Sequence, residues 1–546
     1  MSLNNAPQSL NFHHNEGALL QAGIDANVLD KERVQQLALI SRKQRMPLLD
    51  LVKFEWRLPL RVLYQLWAES LNLPFIALAE EKLDRKLTAQ LSTAMVHRKL
   101  AVPVVSQQWG ARVVCADPSD SSWRLLYEKK MPGFELALAE PEAIQRFLSL
   151  QLPQSKQSSI DNGLDAVALL ENIFVECHLR RGSDIHVESL KYGVRVRLRV
   201  DGKLQSFGSM LNSQLGISLI SRIKVLAGMD IAESRAPQDG GFTYEYTHAP
   251  LDGVDVRAAS LPGHRGERIT LRILAAGAES LSLDQLGMPE SQLLQFRRLI
   301  RQSHGMLLIT GPTGSGKSTT LYSALRVINR DDINVLTVED PVESDIEGIT
   351  QVNVDSKTNF ASALRSFLRH DPDVIMVGEI RDKDTADVAL KAAMTGHFVF
   401  STLHTNTACG AISRLGDIGC DGFLLGTTLR GIIAQQLVRR LCRYCRVKKT
   451  VSEMQRELLG FERDSVIFSP QGCARCQDSG YRGRVGLFEC LWIDVELADF
   501  ISQEPSELEL AAKAGDRLRS LQEDAKEKML AGWISFEDVE PLLGRC

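Results

Sequence analysis

The chain has 546 residues, 24% charged and 44% hydrophobic, with 64 Lys plus Arg against 68 Asp plus Glu and a formal net charge of −4. At roughly 100–200 residues per domain this length implies three or four domains, and the near-neutral balance excludes a bulk basic field for nucleic acid and an acidic disordered chain. Ten cysteines are too few for a disulfide scaffold, and no uncharged apolar run reaches the ~18 residues that spanning a bilayer requires.

The N-terminus shows no basic start followed by an apolar core, so the protein is expected to stay in the compartment where it is made. Residues 1–150 read as helical periodicity over 28–40 and 58–71, followed by strand-like runs within 100–114. No catalytic constellation stands out there. Residues 151–163 are polar, Ser- and Gln-rich and without apolar periodicity, the composition of a linker. A helix over 166–179 then leads into 183–188 and 194–200, where apolar residues alternate with Arg195, Arg197 and Arg199. That alternation predicts a strand with one basic face. Asp201-Gly202 and Asp239-Gly240 are hairpin turn signals, further strands follow at 255–257 and 270–274, and this compact α+β segment ends near Gly277.

Beyond Leu283, apolar strands alternate with helices: a strand at 306–310 and a helix to Ile328, a strand at 335–338 and a helix to Leu368, a strand at 374–377 and a helix to Ala393, then a strand at 397–403. Alternation of this length implies parallel βαβ units. Gly311, Pro312, Thr313, Gly314, Ser315, Gly316, Lys317 and Ser318 fit the pattern GxxxxGK[ST], after a short strand and at the start of a helix, with Thr319 next. Glycines there let backbone N–H groups converge on phosphate oxygens, Lys317 reaches the β- and γ-phosphates, and Ser318 offers a magnesium ligand. ATP and Mg²⁺ are therefore the expected ligands.

A nucleoside triphosphatase also needs an acid on a neighbouring strand. Two candidates follow strands, the stretch Glu339, Asp340, Pro341, Val342, Glu343, and Glu379. His397 and His404 flank the next strand, either as phosphate sensors or as structural histidines. Arg365, Arg369 and Arg381 cluster near the second acidic strand, and Arg257 and Arg272 lie in the preceding domain. Read from the residues alone they suit salt bridges at least as well as a neighbouring subunit's phosphates. Cys442 and Cys445, then Cys473 and Cys476, form two CxxC pairs separated by 27 residues. Four thiolates close a tetrahedral shell, the pattern of structural zinc.

From about 182 to 544 the chain resembles the secretion ATPases of the type II secretion and type IV pilus assembly class. The stretches that carry it are GSDIHVE, RAPQDGG, HRGERITLRIL, GPTGSGKSTTLYSAL, LTVEDPVE, FLRHDPDVIMVGEIRDKDTADVALKAAMTGH, STLHTNTA, AQQLVRRLC and CARCQDSGYRGRVGLFE. The resemblance implies a multidomain α/β protein: a small, mostly helical N-terminal docking domain (1–150), a linker (151–163), a PAS-like α+β domain (164–278) and a RecA-like ATPase domain (279–546). The last contains a tetracysteine zinc element at 440–490 and C-terminal helices.

Carried over residue by residue, the resemblance makes Glu343 the catalytic carboxylate, Glu379 the Walker B acid, and His397 and His404 the histidine box. Arg257, Arg272, Arg365, Arg369 and Arg381 match positions that approach phosphates or brace an interdomain contact. It further implies a cytoplasmic homo-hexamer held peripherally at the inner membrane by a platform protein and a membrane-anchored partner, building pilin or pseudopilin fibres. No nucleic acid is expected, the alternative being a DNA motor of conjugation or uptake. Some relatives bind cyclic di-GMP through a Gly-bearing N-terminal motif; residues 45–54 lack that Gly, so this ligand is not expected. Gly241 stands where the family commonly has Arg.

Overall fold

The computed structural model describes residues 15–44, 46–78, 81–88, 91, 93–106, 108–130, 132–151, 161–208, 210–247, 249, 251–274, 281–476 and 479–543. The chain divides into two compact units, residues 1–274 and 275–546.

In the first unit, helices Glu16–Asp25, Lys31–Gln44, Leu48–Glu55 and Leu60–Ser70 come first. The stretches expected to be helical at 28–40 and 58–71 fall on the second and fourth of them. The fourth buries eight of the nine positions 60–68, all but Arg61, among them Leu60, Leu63 and Trp67, so packing rather than propensity holds it. A small sheet of β1 (Lys82–Leu83), β2 (Ala101–Ser106), β3 (Gly110–Cys115) and β4 (Leu136–Leu138) follows in that order.

The stretch 152–160, part of the expected linker, lies outside the described residues, as does Gly277. Helix Asp161–Leu179 starts five residues ahead of expectation and takes up the linker's last three positions. It leads into β5 (Gly182–Leu190), β6 (Gly193–Val200), β7 (Lys203–Ser206), β8 (Gln238–Tyr244), β9 (Val254–Gly263) and β10 (Gly266–Leu274). Their order is β7-β6-β5-β10-β9-β8, antiparallel throughout. Ile185, Val187, Val196, Leu198, Ile269 and Leu271 line one face and share a core with helix residues Phe174, Leu219 and Ile223. Period-two alternation thus separates a core face from a polar face.

Asp201-Gly202 does turn β6 into β7, both residues having positive φ (48° and 84°). Asp239-Gly240 does not form a turn; both residues pair within β8, opposite Ala259 and Ala258. Gly240 is there because a Cβ would stand 2.2 Å from the Ala227 carbonyl oxygen, a close backbone approach that imitates a turn signal in sequence.

The second unit is built on an eight-stranded sheet ordered β13-β12-β14-β15-β11-β16-β19-β20. The strands are β11 (Gly305–Thr310), β12 (Val335–Glu339), β13 (Thr350–Asn353), β14 (Val374–Val377), β15 (Phe398–Leu403), β16 (Leu429–Leu441), β19 (Tyr481–Trp492) and β20 (Leu518–Arg519). The six from β13 to β16 run parallel, and β19 and β20 are antiparallel additions. Complete burial of β11, β12, β14 and β15 explains why they read as continuous apolar runs.

The expected single helix between 338 and 368 is in fact a loop, the edge strand β13 and helix Phe360–Phe367. Only four residues long and half exposed, β13 lacks the apolar run that marks its neighbours. Between β16 and β19 a two-stranded lobe, β17 (Val447–Thr450) and β18 (Val466–Ser469), carries the cysteine pairs at its base.

Candidate functional site

β11 ends at Thr310 and the chain enters a tight loop before helix Lys317–Ile328. Gly311, Gly314 and Gly316 take φ of 146°, 78° and 90°, which side chains rarely adopt. A Cβ on Gly311 would stand 2.3 Å from the Gln435 carbonyl oxygen of β16, so strand packing leaves this loop one conformation. The first turn of the helix presents N–H groups with no intrahelical acceptor and the positive end of its dipole.

Lys317 folds back, donating from Nζ to the carbonyls of Gly311 (2.8 Å) and Pro312 (3.2 Å). Burial pulls its ammonium below the ordinary lysine range, against the opposing pull of Glu379 and Glu343. Ser315 Oγ is buried with no hydrogen-bond partner among the described residues. A desolvated cation and an orphaned hydroxyl over a helix N-terminus fit a phosphate group. Pro312 is in the same loop, and a cavity of about 380 Å³ opens beside it, lined by Thr313, Gly314, Ser315, Gly316, Lys317, Ser318 and Thr319.

Because β12, β14 and β15 follow one another on one side of β11 in the same sheet and run parallel to it, the segments after their carboxyl ends reach the same cavity. Three glutamates arrive in three different environments. Glu339, at the end of β12, is 4% exposed and hydrogen-bonded through both oxygens: Tyr322 Oη donates to Oε2, while Thr337 Oγ1 (2.6 Å) and Gln351 Nε2 (3.1 Å) donate to Oε1. Glu379, after β14, is ion-paired to Arg381 and lies 3.1 Å from His404 Nε2. Burial raises its pKa, but Arg381 and His404 outweigh that and hold it below the usual carboxylate range. Glu343 is exposed, and its carboxylate makes no hydrogen bond or ion pair among the described residues.

The structure does not bring the two histidines together. His404 follows β15 and lines the cavity, whereas His397 precedes β15, its Nδ1 3.0 Å from the Ala392 carbonyl. Six strand residues at ~3.3 Å each put it roughly 20 Å away, at the amino end of the sheet. Of the arginines, Arg381 reaches the site and lies 3.6 Å from Asp340 as well. Arg365 and Arg369 are exposed on and just after helix Phe360–Phe367, neither ion-paired among the described residues. Arg257 and Arg272 face each other across β9 and β10 in the first unit, Arg272 Nε lying 3.1 Å from Asp184.

Several cavity residues escaped the sequence reading, among them Tyr322, Leu437 and Arg484. Tyr322 lies four residues after Ser318, on the same helix face, a spacing that points to it. Arg484 comes from β19 and Leu437 from β16, and no local signal marks either.

The basic stripe of β6 is partly neutralised by two acids, which Arg268 and Arg272 share. Arg195 and Arg197 both donate to Glu188, at 3.0 and 2.9 Å, and Arg199 lies 3.6 Å from Asp184. These acids come from β5, whose outward residues alternate opposite those of β6.

At the far end of the β16–β19 ladder, Cys442, Cys445, Cys473 and Cys476 converge with all four sulfurs within 4.8 Å of one another. The knuckles set sulfur separations of 3.9 Å (Cys442 to Cys473), 3.7 Å (Cys445 to Cys476) and 3.7 Å (Cys473 to Cys476). A regular tetrahedron with metal–sulfur bonds of about 2.3 Å has edges of about 3.8 Å, so the donor set fits zinc. Backbone N–H groups of Cys473 and Gly480, each 3.2 Å from Cys476 Sγ, fix that ligand's direction.

Comparison with known proteins places this arrangement. The type II/IV secretion system protein family matches residues 162–541, and the MshEN domain matches residues 71–156. Type II secretion system protein E of Dickeya dadantii is 40% identical over 461 residues, covering 79% of this chain and 92% of that protein. The type II secretion system ATPase E of Vibrio cholerae is 42% identical over 398 residues, 72% of this chain and 78% of that protein. Among solved structures, the ATPase DotB of Legionella pneumophila shares the fold, with a TM-score of 0.52 at 23% identity over 69% of this chain and 96% of that one. On the length and identity of these matches, the chain belongs to the type II/IV secretion system protein family.

Proposed function

We propose that this chain is an ATPase that works as a homo-hexamer and couples ATP hydrolysis to the assembly of pilin or pseudopilin fibres through an inner-membrane platform protein. The observation that carries the reading is the convergence, on one cavity, of a phosphate loop and three glutamates held in three distinct environments. Paired environments that separate the behaviour of like groups are how a site assigns roles.

Gly311 to Ser318 hold the triphosphate, with Lys317 on the β- and γ-phosphates. A Mg²⁺ ion would be held by Ser318 and supplies charge neutralisation on the phosphate oxygens. Water attacks the γ-phosphorus and passes its proton to the Glu343 carboxylate, while the bond to the β–γ bridging oxygen breaks and its electron pair leaves with ADP. Glu343 takes this part because Glu339 is buried with both of its carboxylate oxygens already hydrogen-bonded and Glu379 is committed to Arg381 and His404. Glu379, kept ionised by those partners, suits orientation of the metal's water shell. Arg365, Arg369, Arg257 and Arg272 remain candidate contacts for a neighbouring subunit's nucleotide, and His397 is the weakest of the proposed site residues.

The six-stranded antiparallel sheet packed on two helices supports the PAS-like reading of the domain before the phosphate loop. No helix among the described residues is long and apolar enough to cross a membrane, which suits a peripheral cytoplasmic role held by membrane partners. A DNA motor is disfavoured by the formal net charge of −4, and the Arg195, Arg197 and Arg199 stripe is partly offset by Glu188 and Asp184. Purified full chain should release phosphate from ATP only with Mg²⁺ and gain no rate from duplex or single-stranded DNA; steeply salt-dependent DNA stimulation would favour the motor instead.

The tetracysteine lobe is proposed to hold one structural zinc ion. Elemental analysis of the folded protein is expected to give about one zinc per chain, and Cys442→Ser with Cys473→Ser to release it and lower the melting temperature. A folded wild-type sample free of zinc would exclude the metal.

A further inference from the structure

The segment 340–349 carries Glu343 between β12 and β13, and it is held at several points. Asn353 Oδ1 accepts from the Val342 N–H at 2.7 Å. Gln351 donates to the Ser344 carbonyl at 3.0 Å and accepts from the Ile346 N–H at 2.8 Å. These anchors all belong to β13, an edge strand. Two side chains among the described residues tie the segment to the phosphate-loop helix and its cap: Asn329, at the helix C-cap, donates to the Glu347 carbonyl at 2.8 Å, and Tyr322 Oη, the one beside Glu343, accepts from the Glu343 N–H at 3.0 Å and donates to Glu339.

We propose that Tyr322 is a positioning residue for Glu343, fastening the segment that carries this carboxylate to the helix that carries Lys317 and Ser318. The inference rests on the reading of Glu343 as proton acceptor. Tyr322 is 6% exposed, and its ring packs in the core beneath the sheet with Leu321, Leu325 and Ile346, so the hydroxyl has a fixed place. Ser318 and Tyr322 lie one helical turn apart on one face. The metal-side hydroxyl and the Glu343 backbone are thereby referred to the same rigid element. Glu339, whose sequence position at the end of β12 suggests a magnesium acid, is instead the buried acceptor that aims the phenol. Its own orientation is set by Thr337 and Gln351. Displacement of a reacting group by about 1 Å costs on the order of a hundredfold in rate, so one lost hydroxyl in this position is kinetically visible.

The test uses the full chain in four forms: wild type, Tyr322→Phe, Glu343→Gln and the double variant. Turnover is measured with MgATP and affinity with a non-hydrolysable ATP analogue. Tyr322→Phe is expected to lower kcat by about tenfold to a hundredfold while analogue affinity stays within about twofold. In the Glu343→Gln background the same change should alter the residual kcat by less than about twofold, because the group it positions is gone.

A kcat within about threefold of wild type for Tyr322→Phe would overturn the proposal. So would a full multiplicative loss in the double variant, which would place the phenol's action elsewhere, or loss of analogue binding, which would make its part structural. If instead Glu343→Gln alone left kcat near wild type, the proton-acceptor reading itself would fall.

Discussion

Lys317→Ala is expected to lower ATP turnover by at least about a hundredfold, the usual cost of removing one group aimed at charge that develops during reaction. The magnitude follows from where the ammonium sits. Burial has already stripped part of its solvation, the present partners are two carbonyl oxygens of its own loop, and Glu379 and Glu343 add only distant attraction. A triphosphate replaces those weak partners with strong ones, and alanine leaves its negative charge facing the loop alone. Analogue affinity should fall too, by about tenfold, since the ground state already carries the charge. Stability should not: Lys317 bonds only within the loop, and its removal is expected to change the unfolding free energy by less than about 1 kcal/mol. Phosphate release within about threefold of wild type would mean that this loop does not hold the reacting phosphates.

Glu343→Gln separates the second reading from the first. The change keeps size and removes basicity, so turnover should fall about a hundredfold or more while analogue binding is kept. Lys317→Ala loses both; the contrast is the diagnostic. Glu339→Gln offers the complementary comparison, because that carboxylate is buried and fully hydrogen-bonded, and its replacement is expected to lower the melting temperature as well as the rate. If Glu343→Gln lost analogue binding as Lys317→Ala does, Glu343 would belong to nucleotide binding rather than to proton acceptance.

These roles were only partly visible in the chain. Glu339, Glu343 and Glu379 are alike in sequence, each following an apolar strand. What separates them is Tyr322 on another helix, Gln351 on an edge strand, and Arg381 with His404 beyond the next strands. The histidines show the same limit. His397 and His404 flank one strand symmetrically in sequence, yet the carboxyl end of a parallel sheet meets the phosphate loop and the amino end does not. Asp239-Gly240 reads as a turn and is a strand, because glycine serves equally for a positive φ and for the close approach of Ala227.

By itself the amino-acid sequence determined the phosphate loop, the parallel strand-helix alternation of the second unit and the grouping of four cysteines in two pairs that converge. In each, the chemistry is local: glycines whose φ the loop needs, runs of apolar residues that must be buried, and thiols with two residues between them. Only the tertiary structure decided which glutamate is free, which histidine meets the cavity, that the Arg195 to Arg199 stripe is answered by Glu188 and Asp184, and that a tyrosine ties the Glu343 segment to the helix of Lys317. Burial and partnership decide what a charged group does, and both depend on strand order and register, which bring together residues far apart in the chain.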